Sequence, residues 1–206
     1  RTGRRYTPIA DEPCREGRQS TVHAVTSTDA PLGRSIASPG TRLALKLREG
    51  GDESAWRQQS RILQSLSHSV GTPPCPRIYD QLEDGAGLVM EWCPLDLETW
   101  WLGVMDAPEG FRALCQTLSE ICRRTAEYGA FAREQDEHIP AILRPDAILR
   151  RGDGRWLLTR FGAPLRAAKE GSTTKIVTEP DNFTSPEVLF EASPIIQPSS
   201  ERWSLG

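Results

Sequence analysis

The sequence predicts an α+β chain in which strands come first and helices follow. Three observations carry this: period-two alternation at Val22 to Thr26 and at Thr41 to Leu47, one long apolar pattern at helical spacing from Phe111 to Ala132, and clusters of Gly, Pro, Ser and Asp between such stretches. At 206 residues the chain can build one or two small lobes with a real core. Hydrophobic residues make up 37% and charged residues 26%, which reads as soluble and globular on the polar side. A net charge of −3 gives no basic footprint, so no nucleic-acid partner is expected. No apolar run approaches the ~20 residues of a membrane helix, and RTGRRYTPIADEP lacks the apolar centre of a signal peptide. No membrane association is expected either.

In chain order, residues 1–13 lead into a strand around Tyr6 to Ala10. REGRQSTV, residues 15–22, is a polar turn about Gly17 that enters the strand ending at Thr26. Residues 27–40 are rich in turn formers and read as a long hairpin loop before the strand TRLALKL. From Glu53 to His68, Trp56, Ile62, Leu63 and Leu66 fall near one helical face. GTPPCPRIYDQLEDGAGLVMEW then gives a proline-rich turn, a strand, an Asp-Gly turn and a second strand. Leu95, Leu97 and Trp100 continue into a helix start. In the long helix, Phe111, Leu114, Cys115, Leu118, Ile121, Cys122 and Tyr128 are expected to form one wide buried stripe. EQDEHIP is a polar connection with His138 as a surface histidine, and Leu165 to Asn182 reads as a solvated loop.

The five cysteines, Cys14, Cys75, Cys93, Cys115 and Cys122, are odd in number and form no C-x-x-C pair. Neither a zinc site nor a disulfide framework is expected, and a reducing compartment, the cytoplasm, follows. Cys115 and Cys122 are expected as buried thiols.

The chemistry turns on Leu143 to Gly162, LRPDAILRRGDGRWLLTRFG. Before it stand REGRQSTV, then LALK on a strand, RILQSLSH on a helix and LVMEWC on another strand; after it come TSPEVLFEA and ERWSLG. In this order the stretches resemble the motifs of protein kinases, those of bacterial Ser/Thr kinases in particular. The family carries a Gly-rich loop, a strand lysine, a helix whose acid pairs with it, a hinge, H-R-D-L-x-x-x-N, D-F-G and A-P-E. The resemblance implies a bilobal protein-kinase-like fold: an antiparallel N-lobe with one helix over residues 1–93, and a mainly helical C-lobe over residues 94–206. The C-lobe would be incomplete, stopping at the start of its central helix near Trp203.

Residue by residue, the match implies a pseudokinase. Arg15, Gly17 and Ser20 take the three glycine places of the loop, so only the central glycine is kept. Lys46 takes the phosphate-pairing lysine, while Gln59 stands where its acidic partner belongs and cannot supply the charge. Ile142 occupies the proton-accepting position, Ala147 the metal-binding Asn, and Arg160 the metal-binding Asp of D-F-G. Shifting the match by four residues would put Asp146 in the proton-accepting slot, but pushes an Ile-Leu pair off its strand and misplaces RFG. A guanidinium repels Mg²⁺ and attracts phosphate, and an isoleucine takes no proton. Ala141 removes the arginine that captures activation-segment phosphate. No catalytic residue and no metal are therefore expected.

The apolar walls of a nucleotide pocket look intact: Val22, Ala44 and Leu149 sandwich the base in the resemblance, Met90 is the gatekeeper, and Glu91 to Cys93 form the hinge. ATP bound without metal, with Lys46 and Arg160 facing its phosphates, stays open beside a collapsed apolar core that Arg160 closes from inside. The expected role is a scaffold or regulatory domain with a protein partner, within a longer chain or a multi-protein complex. Trp100 and Trp101 are interface candidates or core residues. The competing class is a nucleotide-dependent transferase with non-standard chemistry, using Lys46 and a relocated acid such as Asp146 or Asp153.

Overall fold

The computed structural model describes residues 6–10, 15–16, 20–28, 40–50, 53–67, 73–82, 85–104, 106–134, 139–140, 144–159 and 164–165. The architecture is α+β with antiparallel sheets, and the chain divides into two compact units, Arg1–Cys93 and Pro94–Gly206.

In the first unit the strands are β1 (Tyr6–Pro8), β2 (Arg15–Glu16), β3 (Ser20–Ser27), β4 (Arg42–Arg48), β5 (Ile78–Gln81) and β6 (Gly87–Glu91), with helix α1 (Glu53–Ser67) between β4 and β5. They form one sheet in the order β1-β3-β4-β6-β5, with β2 alongside β3. Alternation in STVHAVTS and RLALKLR divides the side chains between two faces. One face carries Val25, Leu43 and Val89, all buried, joined by Tyr6, Leu45, Tyr79 and Leu82. The sheet curls around this core. β1 and β5 are the two ends of the strand order, and a flat five-stranded sheet would hold them about 19 Å apart. Yet the Tyr6 hydroxyl donates to Asp80 Oδ2 at 2.6 Å.

The hairpin between β5 and β6 turns through Gly85, the glycine the sequence marks. Gly85 takes the left-handed φ of 68°, which a β-carbon disfavours. Its N–H donates to Leu82 O, and the Leu82 N–H donates to Gly87 O. Gly87 is favoured for a different reason: a β-carbon there would meet the Lys46 backbone oxygen at 3.0 Å, besides the ends of the Leu47 and Leu82 side chains. On α1 the four apolar positions expected inside, Trp56, Ile62, Leu63 and Leu66, are buried. The Ser67 hydroxyl at the helix end accepts the Ile78 N–H at 2.8 Å, tying α1 to β5.

The second unit contains β7 (Leu95–Asp96), α2 (Leu97–Val104), α3 (Gly110–Glu134), β8 (Ile139–Pro140), a 3₁₀ turn (Pro145–Ala147), β9 (Ile148–Arg150), β10 (Trp156–Leu158) and β11 (Pro164–Leu165). Strands β10, β9 and β7 form an antiparallel sheet in that order, and β11 pairs with β8. Asp96 ends β7 and caps α2, its Oδ1 accepting the Thr99 N–H at 2.6 Å. Trp100 is buried and meets Trp156 edge-on at 5.3 Å, with the Arg150 guanidinium near both rings. Of the tandem tryptophans, Trp100 is thus core and Trp101 is half-buried.

Helix α3 corrects the expected buried stripe. Ile121 and Tyr128 are fully buried, but Phe111 is 79% and Leu118 37% exposed, and Cys115 and Cys122 are exposed thiols. The face turned inward instead runs through Thr117, Ile121, Arg124, Thr125 and Tyr128. Thr125 Oγ1 donates to Ile121 O, and the Arg124 guanidinium lies between the carboxylates of Glu120 and Glu127, although its Nε makes no hydrogen bond. Glu120 also accepts the Trp156 N–H at 3.3 Å, which fixes this face against β10. Residues 111, 115, 118 and 122 form a separate stripe rotated away from it. Among the described residues no helix is long and apolar enough to cross a membrane.

Urea unfolding checks the reoriented helix. Ile121→Ala is expected to cost about 2–5 kcal/mol, the range for deleting a buried aliphatic side chain. Phe111→Ser is expected to stay within about 0.5 kcal/mol, as at an uninvolved surface position.

Candidate functional site

The register of three strands brings four of the residues expected to line a pocket onto one face. In β3 against β4, Val22 lies opposite Lys46 and Ala24 opposite Ala44; in β4 against β6, Lys46 lies opposite Leu88 and Ala44 opposite Met90. Directly opposed residues in a sheet share a face. Val22, Ala44, Lys46 and Met90 therefore stand together, on the face opposite the Val25–Leu43–Val89 core. Ala44 and Met90 are buried, while Val22 and Lys46 are half-buried.

Helix α1 meets this same face through Trp56. The Lys46 ammonium lies 5.6 Å from the centre of the indole ring, within cation–π range. The indole N–H donates to Gly85 O at 2.6 Å, so one side chain anchors the helix to β4 and to the β5–β6 turn. Gln59, one helical turn further on, is 8% exposed. Glu53 at the helix start is taken up by Arg48 at 3.7 Å and by Arg57. Near the end of the unit, the Glu91 N–H donates to Arg77 O at 2.8 Å, and Cys93 is buried.

In the second unit the positions that the resemblance assigns to chemistry are held differently. Ala147 is 3% exposed, and its carbonyl oxygen accepts both the N–H of Thr159, at 3.0 Å, and its hydroxyl, at 2.9 Å. The two relocated-acid candidates lie at the surface. Asp146 is exposed and bonded to Arg144 Nε at 3.1 Å. Asp153 sits in the β9–β10 turn beside Arg151 and Arg155, its Oδ1 accepting the Arg155 N–H. Leu149, half-buried in β9, lies opposite Leu157 and Asp96. Ile142 and Arg160 lie outside the described residues, as do Gly17, His138 and the SPE and ERWSLG stretches. Among the described residues no group of three or more His, Cys, Asp or Glu side chains is placed to hold a metal ion.

Sequence reasoning missed the role of Trp56, which it took as one more apolar position on a helix. Its signal was its place one helical turn before Gln59, on the helix expected to meet Lys46. It also missed Cys75, fully buried in the Pro73–Pro76 turn. Burial pushes that thiol up to about 12, with the Glu91 carboxylate adding to the rise and a backbone hydrogen bond opposing it. Neither a protein-family model nor a curated protein matches this chain.

Two measurements test these geometries. In urea unfolding, Trp56→Ala should cost about 3–5 kcal/mol, Trp56→Phe about 1 kcal/mol for the lost hydrogen bond, and Lys46→Met less than about 1 kcal/mol for the cation–π contact. For Cys75, thiol-reactive reagent at pH 8 should modify Cys115 and Cys122 in the folded protein and leave Cys75 untouched until denaturant is added. The unfolded thiol loses its proton near 9.0 and the folded one near 12, so the unfolded state is favoured progressively as pH rises through that window. Cys75→Val should flatten this part of the stability profile.

Proposed function

We propose that the chain is a kinase-shaped binding domain without phosphotransfer chemistry, a pseudokinase acting as a scaffold or regulatory module for a protein partner. In this reading residues 1–93 are an N-lobe and residues 94–206 a mainly helical C-lobe. Support for the fold comes from the motif order, from α1 following the lysine strand, and from Ala44, Lys46, Val22 and Met90 sharing one face. The unbridged cysteines Cys75, Cys93, Cys115 and Cys122 suit a cytoplasmic setting.

One observation carries the functional reading. At the position of the metal-binding Asn the chain has the methyl of Ala147, buried, with its carbonyl already accepting two hydrogen bonds from Thr159. Mg²⁺ seeks oxygen ligands at short, near-octahedral distances, so it does not fit the groups present there. The surface ion pairs of Asp146 and Asp153 support the same reading, because each carboxylate is already engaged by an arginine of its own turn. Phosphoryl transfer depends on charge neutralisation and positioning, and of the matched positions that supply them Lys46 is kept while the metal ligands and the proton acceptor are replaced.

A second reading, metal-free nucleotide binding, is favoured by one feature: the Val22–Ala44–Met90 face carries Lys46 within it. Thermal-shift titration with ATP in EDTA, Mg²⁺ and Mn²⁺ separates the possibilities. The expected result is no added stabilisation from either metal, with any ATP effect equal in EDTA. Metal-enhanced stabilisation of about 2 kcal/mol or more, as ligand well above its dissociation constant gives, would overturn the proposal, as would transfer of radiolabelled phosphate to protein.

A further inference from the structure

Helix α3 turns Phe111, Cys115, Leu118 and Cys122 outward, and at the pitch of an α-helix the four fall within about 60° of one another. Phe111, at 79%, is the most exposed large apolar side chain among the described residues. Ser119 and Ala126, beside the stripe, are exposed and uncharged. From Phe111 to Ala126 this side of the helix thus presents no charge over about 22 Å.

The steps along the stripe are 4, 3 and 4 residues. That is the spacing of a seam in which helices pack knobs into holes, and it reads the same from either end. Phe111 and Cys122 are equidistant from one midpoint, as are Cys115 and Leu118. A copy of α3 run antiparallel therefore sets its Cys122 level with Phe111 and its Leu118 level with Cys115. Each layer places a large side chain against a small one, as close packing asks. Run parallel, the same stripe would set phenylalanine on phenylalanine and cysteine on cysteine, in layers of unequal width. A two-fold interface needs a surface that matches itself, and an unrelated helix would have to supply the pattern this chain already carries.

Charge permits the pairing. Beyond the stripe, Arg112 and Glu109 lie 3.3 Å apart at one end, and Arg123 is paired with Glu127 at the other. Antiparallel packing brings one such pair beside the other, two positive and two negative groups, so neither end meets net repulsion. We propose that this stripe is a homodimer interface in which α3 packs antiparallel against α3 of a second copy of the chain. The inference stands on α3 alone and goes beyond the scaffold reading. A seam of about three turns belongs with small, transient interfaces, so the association is weak.

Sedimentation equilibrium of the full chain, carried up to about 500 µM to cover an interface of this class, is expected to show a monomer–dimer equilibrium. Phe111→Asp should weaken it about tenfold or more. Because Phe111 is a surface residue of the single chain, the variant keeps its fold, which thermal unfolding at low concentration checks. Cys115→Leu with Cys122→Leu enlarges the apolar seam and should tighten the dimer by a similar factor. Orientation is read with a short bismaleimide in a Cys14→Ser background, Cys75 and Cys93 being buried. In the antiparallel pair the two Cys115 residues lie about 4.5 Å apart along the axis and the two Cys122 residues about 16 Å. Cys122→Ser should therefore keep the cross-linked dimer and Cys115→Ser should lose it. A monomer at every concentration, a dimer indifferent to Phe111→Asp, or cross-linking that survives Cys115→Ser or fails with Cys122→Ser would overturn the interface.

Discussion

The first unit depends on one constraint, the register of β3 against β4 and of β4 against β6. A slip of one residue in a strand exchanges its two faces. It would bring Lys46 into the core and turn Leu43 or Val89 out. Burial of Val25, Leu43 and Val89 opposes that exchange, and so does Gly87, whose place close to the Lys46 backbone oxygen leaves a β-carbon tight. With the inner face fixed by apolar packing, the outer row of Val22, Ala44, Lys46 and Met90 is fixed as a by-product. Trp56 then holds α1 to that row from two directions, through its ring and through its N–H.

In the second unit electrostatics decides what apolar content alone leaves open. Burying an unpaired guanidinium costs several kcal/mol, and Arg124 enters the buried face of α3 because Glu120 and Glu127 flank it one turn to either side. Glu120 in turn accepts the Trp156 N–H, so the helix, its ion pairs and β10 are positioned together. The rotation this imposes sends Phe111 and Leu118 outward and leaves an apolar strip on the exposed side of α3. That strip is thus a consequence of how the core was satisfied.

The secondary structure was largely legible because its signals are local: alternation for β3 and β4, the Asp-Gly turn before β6, and helical spacing for α1 and α3. The face of α3 was not. Its seven apolar positions span two stripes, and reading hydrophobicity alone merges them, whereas the true inner stripe contains Thr117, Arg124 and Thr125. The site shows the same division. Which residues line the Lys46 wall followed from resemblance, but their common face depends on pairing between strands distant in sequence. The grip of Thr159 on Ala147 likewise joins residues twelve apart across a hairpin.

The bond from Tyr6 to Asp80 has an effect beyond its own energy. By drawing the first and last strands of the sheet toward each other, it leaves little lateral room for a foreign extended chain to dock by backbone pairing, and the short β1 ends in Pro8, which has no N–H to offer. This unit is thereby discouraged from growing into larger β-assemblies.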